Sequence, residues 1–159
     1  MNTMTAGPPV LRSTGRCVLY LFLSFGLWGL AWVWHTSKEL SAPMKGEDQS
    51  VLRTVLSVIP IANYVVLYWV WDDIDKAARQ TGVGSFNTVL WLVLTIILGF
   101  PALIAYPLAQ ARLNAAQTAA SNGTATKAPL YTFDKVTIGI GLALWALVLL
   151  IIVIAVAAG

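Results

Sequence analysis

The most chemically suggestive feature of the chain is a run of carboxylates, Asp72-Asp73-Ile74-Asp75. Paired aspartates hold Mg²⁺ and a diphosphate in prenyl-transferring enzymes, because a hard cation takes several carboxylate oxygens. Such a site needs a second acidic cluster. The other acids are Glu39, Glu47, Asp48 and Asp134, and the only two that adjoin, Glu47 and Asp48, fall in a loop. The sequence therefore lacks half of the metal site.

A simpler interpretation of the three aspartates is a helix end in water. Lys76 and Arg79 follow Asp72 and Asp75 at a spacing of four residues, which allows ion pairs along one helix face. We therefore predict that the cluster has no metal-binding or catalytic role and marks the water-facing end of a membrane helix.

Two other reactive side chains occur once each. His35 is the only histidine, so it cannot head a His-rich metal site, and no Ser-His-Asp set is assembled from its neighbours. Cys17 is the only cysteine, which excludes an internal disulfide and a Cys-x-x-Cys pair. We predict an interfacial polar residue at 35 and a surface thiol at a helix start at 17. No catalytic residue, cofactor or metal is expected, and the chain is not expected to be an enzyme.

The elements that would position these residues are apolar helices. Of the 159 residues, 58% are hydrophobic and 11% are charged, and the mean hydropathy is +0.75. A soluble domain has about 25% charged residues, so most of this surface must face lipid rather than water. The ten Lys and Arg residues are scattered, which speaks against a nucleic-acid partner.

The charges mark out four candidate membrane spans. All of them fall outside the windows 17–37, 54–71, 80–111 and 136–159, and a spanning helix needs about 20 apolar residues. The sequence predicts an all-α polytopic membrane protein with four transmembrane helices in a small bundle. The predicted parts are a flexible tail over 1–15 and one membrane domain over 16–159, with spans at about 17–34, 54–71, 88–109 and 136–158 and a polar linker at 121–130.

Helix-breaking residues interrupt the second and third predicted spans. Pro60 makes the second span tilted, re-entrant or otherwise irregular, and Gly99, Pro101 and Pro107 predict a kink in the third. Asn63 lies deep in the second span. It either makes an interhelical hydrogen bond, for example to Ser57, to Thr95 or to the carbonyls freed by the prolines, or it contacts a ligand.

Small residues give candidate helix-packing surfaces. Gly26 and Gly29 share a face of the first span, and Gly139 and Ala143 form a small-xxx-small pair in the fourth. Residues of this size let two helix backbones approach closely, within one chain or between two.

Several short motifs resemble a known family. They are Ser24-Phe25-Gly26-Leu27-Trp28-Gly29, Glu39-Leu40, Ile59-Pro60, Asn63-Tyr64 and Gln110-Ala111-Arg112-Leu113-Asn114. In this order they are similar to the bacterial membrane-protein family known as domain of unknown function 4234, over about residues 16–116. The resemblance implies a multi-pass bacterial membrane protein, and it carries no catalytic residue to this chain.

Two functions fit these observations. No span contains a charged residue, which disfavours proton-coupled transport. We expect a non-enzymatic scaffold or accessory subunit of the cell membrane that contacts the lipid bilayer, itself or another membrane protein through its helices. The alternative is a small transporter or lipid-binding protein that uses the irregular second and third spans.

Overall fold

A computed structural model describes residues 9–41, 48–100 and 102–158 of the chain. Within them the fold is all-α, as predicted, apart from two short strands, β1 (Val10–Leu11) and β2 (Thr126–Lys127), which pair in parallel. The helices are α1 (Thr14–Leu23), α2 (Trp28–Ser41), α3 (Ser50–Ser57), α4 (Pro60–Gln80), α5 (Thr88–Leu98), α6 (Ala102–Ala120) and α7 (Thr132–Ala158). Pro101 and most of the predicted tail lie outside the described residues.

Each of the first three predicted spans is divided into two helices. Between α1 and α2, Phe25 and Gly26 adopt positive φ angles of 54° and 83°. The Ser24 hydroxyl accepts a 2.8 Å hydrogen bond from the Trp28 backbone N–H and so caps the new helix. A left-handed turn followed by a capped start ends one helix and begins another.

The other two breaks have equally local causes. Pro60 is the first residue of α4, where its fixed φ and missing N–H cost nothing, and Ile59 before it is extended. Gly99 ends α5 with a φ of 73°, a conformation that L side chains rarely adopt.

The break between α1 and α2 reverses the chain. The Arg12 guanidinium, just before α1, lies 2.6 Å from the carboxylate of Glu39 near the end of α2. Along a continuous helix these residues would be about 40 Å apart, far beyond the reach of two side chains. We call this pair of helices hairpin 1.

The next two pairs of helices reverse in the same way. Arg53 of α3 pairs with Asp73 of α4 at 2.7 Å, although a continuous helix would separate them by about 30 Å. Gly84 before α5 lies against Arg112 of α6, and a β-carbon at residue 84 would be 3.3 Å from its guanidinium. We call α3–α4 hairpin 2 and α5–α6 hairpin 3. All three therefore enter and leave at one end of the molecule, the polar end.

Helix α7 starts at the polar end and runs past the hairpin turns. Near its start, Asp134 accepts a hydrogen bond from the Trp28 indole. Further along, the Trp145 indole donates to the Phe22 carbonyl beside the turn of hairpin 1 at 3.0 Å. The rest of α7 continues beyond the turns and is exposed up to Ala158.

The four-span bundle is not confirmed. Among the described helices, only α7 is long and apolar enough to cross a membrane, with a mean hydropathy of 3.1 in its most apolar 18-residue window and almost none of that window buried. Hydropathy depends only on which residues a window contains, so it does not detect a reversal of the chain within that window. The windows at 17–34, 54–71 and 88–109 are long enough for one crossing only if each helix is continuous, and none is.

Buried aromatic rings join the three hairpins. Trp32 of α2 and Trp71 of α4 are fully buried, and both meet Tyr106 of α6 edge to face, with ring centroids 4.8 and 6.1 Å apart. Such pairs add about 0.5–1.5 kcal/mol each beyond the area they bury. The packed core thus lies between α2, α4 and α6.

The contact between α7 and hairpin 1 depends on a missing side chain at Gly141. A β-carbon there would overlap the Ser24 backbone, whereas one at Gly139 would have no neighbour within 4 Å. We predict that Gly141→Ala displaces α7 from hairpin 1. The free energy of unfolding should fall by about 1–3 kcal/mol, the range typical of overpacking, or by more. Gly139→Ala is the matched control and should be neutral or slightly stabilising, because alanine has the higher helix propensity. Thermal unfolding in detergent distinguishes the two variants, and equal midpoints would contradict this packing.

Candidate functional site

The polar end carries the charge of the described chain. The charged residues there are Arg12, Arg16, Lys38, Glu39, Asp48, Arg53, Asp72, Asp73, Asp75, Lys76, Arg79, Arg112, Lys127, Asp134 and Lys135. Each lies before or in the first turn of an entering helix, in the second half of a returning helix, or between α6 and the start of α7. The charged side chains of the described residues are therefore confined to one end of the hairpins.

A buried network ties the N-terminal segment to hairpins 1 and 3. Two guanidinium nitrogens of Arg12 meet the two carboxylate oxygens of Glu39 at 2.9 and 2.6 Å. The Gln117 amide donates to the same carboxylate at 3.1 Å, and Asn114 both donates to and accepts from the Arg12 backbone. Burial works to lower the pKa of Arg12, but the charge and hydrogen bonds of Glu39 outweigh it and raise that pKa.

The network continues into the core. The Trp32 indole donates to the Gln110 side chain at 2.7 Å, and the Gln110 amide donates in turn to Asn114 at 2.8 Å. Gln110 is completely buried. In the sequence, Gln110 and Asn114 stood out only as members of a motif that resembles domain of unknown function 4234. Their structural role could not be inferred, because their partners lie 78 and 102 residues away.

The three clustered aspartates point to separate partners. Asp72 pairs with Lys76 at 2.5 Å and Asp75 pairs with Arg79 at 2.7 Å, both along α4. Asp73 instead pairs with Arg53 on α3. The hydrogen bond to Asp72 raises the pKa of Lys76. The aspartates act as helix-end ion-pair partners, and they do not converge on one point.

His35 and Cys17 have partners that the sequence did not indicate. The His35 ring stacks on Tyr131 with centroids 4.5 Å apart, and its Nε2 lies 3.5 Å from Asp134 without hydrogen-bond geometry. Cys17 is buried in α1, so the prediction of a surface thiol was wrong. That prediction overlooked that α1 packs against α6 and α7. Among the described residues, no group of three His, Cys, Asp or Glu side chains is placed to hold a metal ion.

The opposite ends of the hairpins, which we call the tips, are apolar and exposed. Ile61 beside the turn of hairpin 2 is 82% exposed and Ile97 beside that of hairpin 3 is 70% exposed. The exposed tip residues are Phe22, Phe25, Val58, Ile59, Ile61, Ile97, Leu98 and Phe100. Water-soluble proteins rarely expose contiguous apolar surface of this kind.

A cavity of about 250 Å³ lies between the three tips. Hairpin 2 contributes Asn63, Tyr64 and Leu67, and hairpin 3 contributes residues on both sides of its break, including Thr95 and Tyr106. Hairpin 1 closes it with Leu21 and Gly26. The two helix-breaking regions singled out in the sequence, around residues 60 and 99, thus meet at one place.

The structure brings Asn63 and Thr95 to this cavity without joining them. The Thr95 hydroxyl is buried and has no hydrogen-bond partner among the described residues. The Ser57 hydroxyl donates to the Arg53 carbonyl and is therefore engaged elsewhere. Of the partners predicted for Asn63, the two side chains, Ser57 and Thr95, are therefore not bonded to it.

The four candidate packing residues lie in different surroundings. A β-carbon at Gly29 would lie 3.1 Å from the Tyr106 hydroxyl, so α2 and α6 approach closely there. Gly26 has no neighbour within 4 Å of such a position, and its φ of 83° belongs to the turn. Gly139 is equally open and Ala143 is exposed, so this pair faces away from the described chain. Its use in helix contacts stays a prediction.

Removing one partner of the buried ion pair between Arg12 and Glu39 should be strongly destabilising. We predict that Glu39→Ala costs about 3–5 kcal/mol, because it leaves a buried guanidinium without its counter-ion. Lys76→Ala is the control, since it removes an exposed pair worth about 0.2–1 kcal/mol. The free energy of unfolding in detergent is the measurement. Equal losses in the two variants would show that the first pair is not buried.

Comparisons with known proteins provide no evidence about the function of this chain. No family model, curated protein or solved structure matches it. The resemblance to domain of unknown function 4234 accordingly stays a prediction. Any function has to follow from the hairpins, their charged end and their apolar tips.

Proposed function

We propose that this chain is a non-enzymatic scaffold of the cell membrane that is anchored by α7 and inserts its three hairpins into one leaflet. The observation that carries the proposal is the reversal of every hairpin at an exposed apolar tip. Tips of this composition require lipid around them, and the charged ends require water or headgroups.

The dimensions of the hairpins support insertion to half depth. In α4, 12 residues separate Pro60 beside the turn from Asp72, the first charged residue of that helix, which is about 18 Å of helix. The hydrocarbon core of a bilayer is about 30 Å thick, so the tips would reach its middle. With 27 residues, α7 is about 40 Å long and can cross the whole core.

The distribution of positive charge supports an orientation. Every Lys and Arg among the described residues lies at the polar end, and the far half of α7 has none. Cytoplasmic segments carry an excess of these residues. We therefore place the polar end in the cytoplasm and the C-terminal end of α7 on the opposite side.

Such an arrangement gives the scaffold a mechanical action. All seven described helices pass through the cytoplasmic leaflet and only α7 continues into the other, and each helix is about 10 Å across. The inserted volume expands the cytoplasmic leaflet more than the opposite one. The bilayer therefore bends so that the leaflet that holds the hairpins is convex. Interfacial helices that insert into one leaflet are curvature-sensitive for the same reason.

The hairpin topology can be tested by cysteine accessibility. In a Cys17→Ala background, Gln49→Cys, Ser85→Cys and Thr124→Cys should all react with a membrane-impermeant maleimide from the same side, because all three residues are exposed between hairpins or after them. Ala157→Cys should react only from the other side. Four continuous spans would instead place residue 85 opposite residues 49 and 124, and that result would overturn the topology.

The mechanical action can be tested on liposomes. Full-length protein reconstituted at rising density should reduce vesicle diameter in electron cryomicrographs. Ile61→Asp together with Ile97→Asp should abolish the effect while α7 still anchors the chain, because a charge costs about 2.5–3.5 kcal/mol at the membrane centre. Leu130→Asp at the polar end is the matched control. Unchanged diameters with the unmodified protein would refute the scaffold function and leave the topology standing.

A further inference from the structure

We propose that the cavity between the hairpin tips is a binding site for a neutral long-chain molecule with a single hydroxyl or carbonyl group, such as a long-chain alcohol. The site does not depend on curvature, because it needs only the packing of the three hairpins.

The cavity has a closed base and an open rim. Leu21, Leu67 and Tyr106 at its base are buried, whereas Gly99 and Leu103 at its rim are exposed. The rim is continuous with the apolar surface of the tips. In the proposed topology the opening therefore faces lipid, and a ligand enters from within the bilayer rather than from water.

Besides the phenol rings of Tyr64 and Tyr106, two small polar side chains line the cavity. Thr95 on α5 is only 4% exposed, and its hydroxyl has no partner among the described residues. Asn63 on α4 lines the same cavity and is half-buried. A buried polar group without a partner costs about 1–3 kcal/mol. One hydroxyl or carbonyl group from a ligand would supply the hydrogen bond that the Thr95 hydroxyl lacks.

The lining selects against charge. None of the residues around the cavity is Asp, Glu, Lys, Arg or His. An ionised headgroup at this depth would have no counter-ion, and burying it would be costly. Phospholipid headgroups and inorganic ions are therefore excluded, and an acyl or isoprenoid chain with an uncharged polar end fits both the polar pair and the walls.

The volume limits what enters. A cavity of about 250 Å³ is below the range of about 300–1,000 Å³ typical of drug-sized ligands. It holds the polar end and the first part of a chain, and the remainder extends between the exposed tips into lipid. A helix from a second protein is too wide for it.

Photolabelling tests the site directly. Full-length protein in phospholipid vesicles is incubated with a hexadecanol analogue that carries a diazirine near its hydroxyl group. Labelled peptides are then mapped by mass spectrometry. We expect saturable labelling within residues 60–67 and 95–106, displaced by unlabelled hexadecanol and much less by hexadecane. Labelling that is unsaturable or spread along the exposed half of α7 would overturn the proposal, as would equal displacement by both competitors.

Variants on α5 separate binding from folding. Thr95→Val keeps the volume and removes the hydroxyl, so it should weaken competition by hexadecanol roughly two- to tenfold, the value of one hydrogen bond. Thr88→Val is the matched control. Its hydroxyl is also buried without a partner, but it lies at the polar end of the same helix and outside the cavity. Equal effects of the two substitutions would contradict a role for Thr95 in binding.

A third variant fills the space itself. Ala102→Trp projects a large ring from α6 into the cavity and should abolish saturable labelling, whereas Ala111→Trp on an exposed face of the same helix should not. Reactivity of Ser85→Cys from the correct side confirms that each variant is folded and inserted. Full labelling of correctly inserted Ala102→Trp would place the ligand elsewhere and end the proposal.

Discussion

The ion pair between Arg12 and Glu39 holds the two ends of hairpin 1 at the same place, and much of the structure follows from that constraint. Once residues 12 and 39 are joined, α1 and α2 must fold back on each other. Their turn then lies at the opposite end of hairpin 1 from Arg12 and Glu39. Asn114 and Gln117 fasten hairpin 3 to the same pair, so that hairpin turns in the same direction. The buried pair is costly to desolvate and derives its value from specifying this register rather than from raw stability.

Local chemistry in the sequence was sufficient to predict part of this fold. Charge-free apolar windows gave the all-α class, and Pro60 and Gly99 marked two of the places where helices end. The break at Phe25 was missed, because a phenylalanine gives no sign that it will adopt a positive φ. The reversal of direction was missed at all three breaks. A proline or glycine indicates that a helix ends. The angle between that helix and the next one depends on contacts with residues far away in the sequence, so the local sequence does not predict it.

The same limit explains what could be foreseen about the candidate site. Asn63 and the break at Gly99 stood out because polar and helix-breaking residues are rare in apolar segments, and both line the cavity. Thr95 carries the unpaired hydroxyl but has no such signature, since threonine is common in membrane helices. Gly141 packs against the Ser24 backbone, whereas Gly139, two residues earlier, meets nothing within 4 Å. One helix contains both glycines at nearly equal hydropathy, so only the position of the neighbouring hairpin distinguishes them.

The breaks and the cavity have one physical origin. A helix that ends inside an apolar region leaves backbone groups and a gap in side-chain packing, and three such ends at one depth leave a shared space. Continuous helices would close that space with side chains at every turn. The glycines at 26 and 99 leave it open, because neither has a β-carbon to fill it. The residues that reverse the hairpins are therefore the residues that create the cavity, and a substitution that straightened a hairpin would remove it.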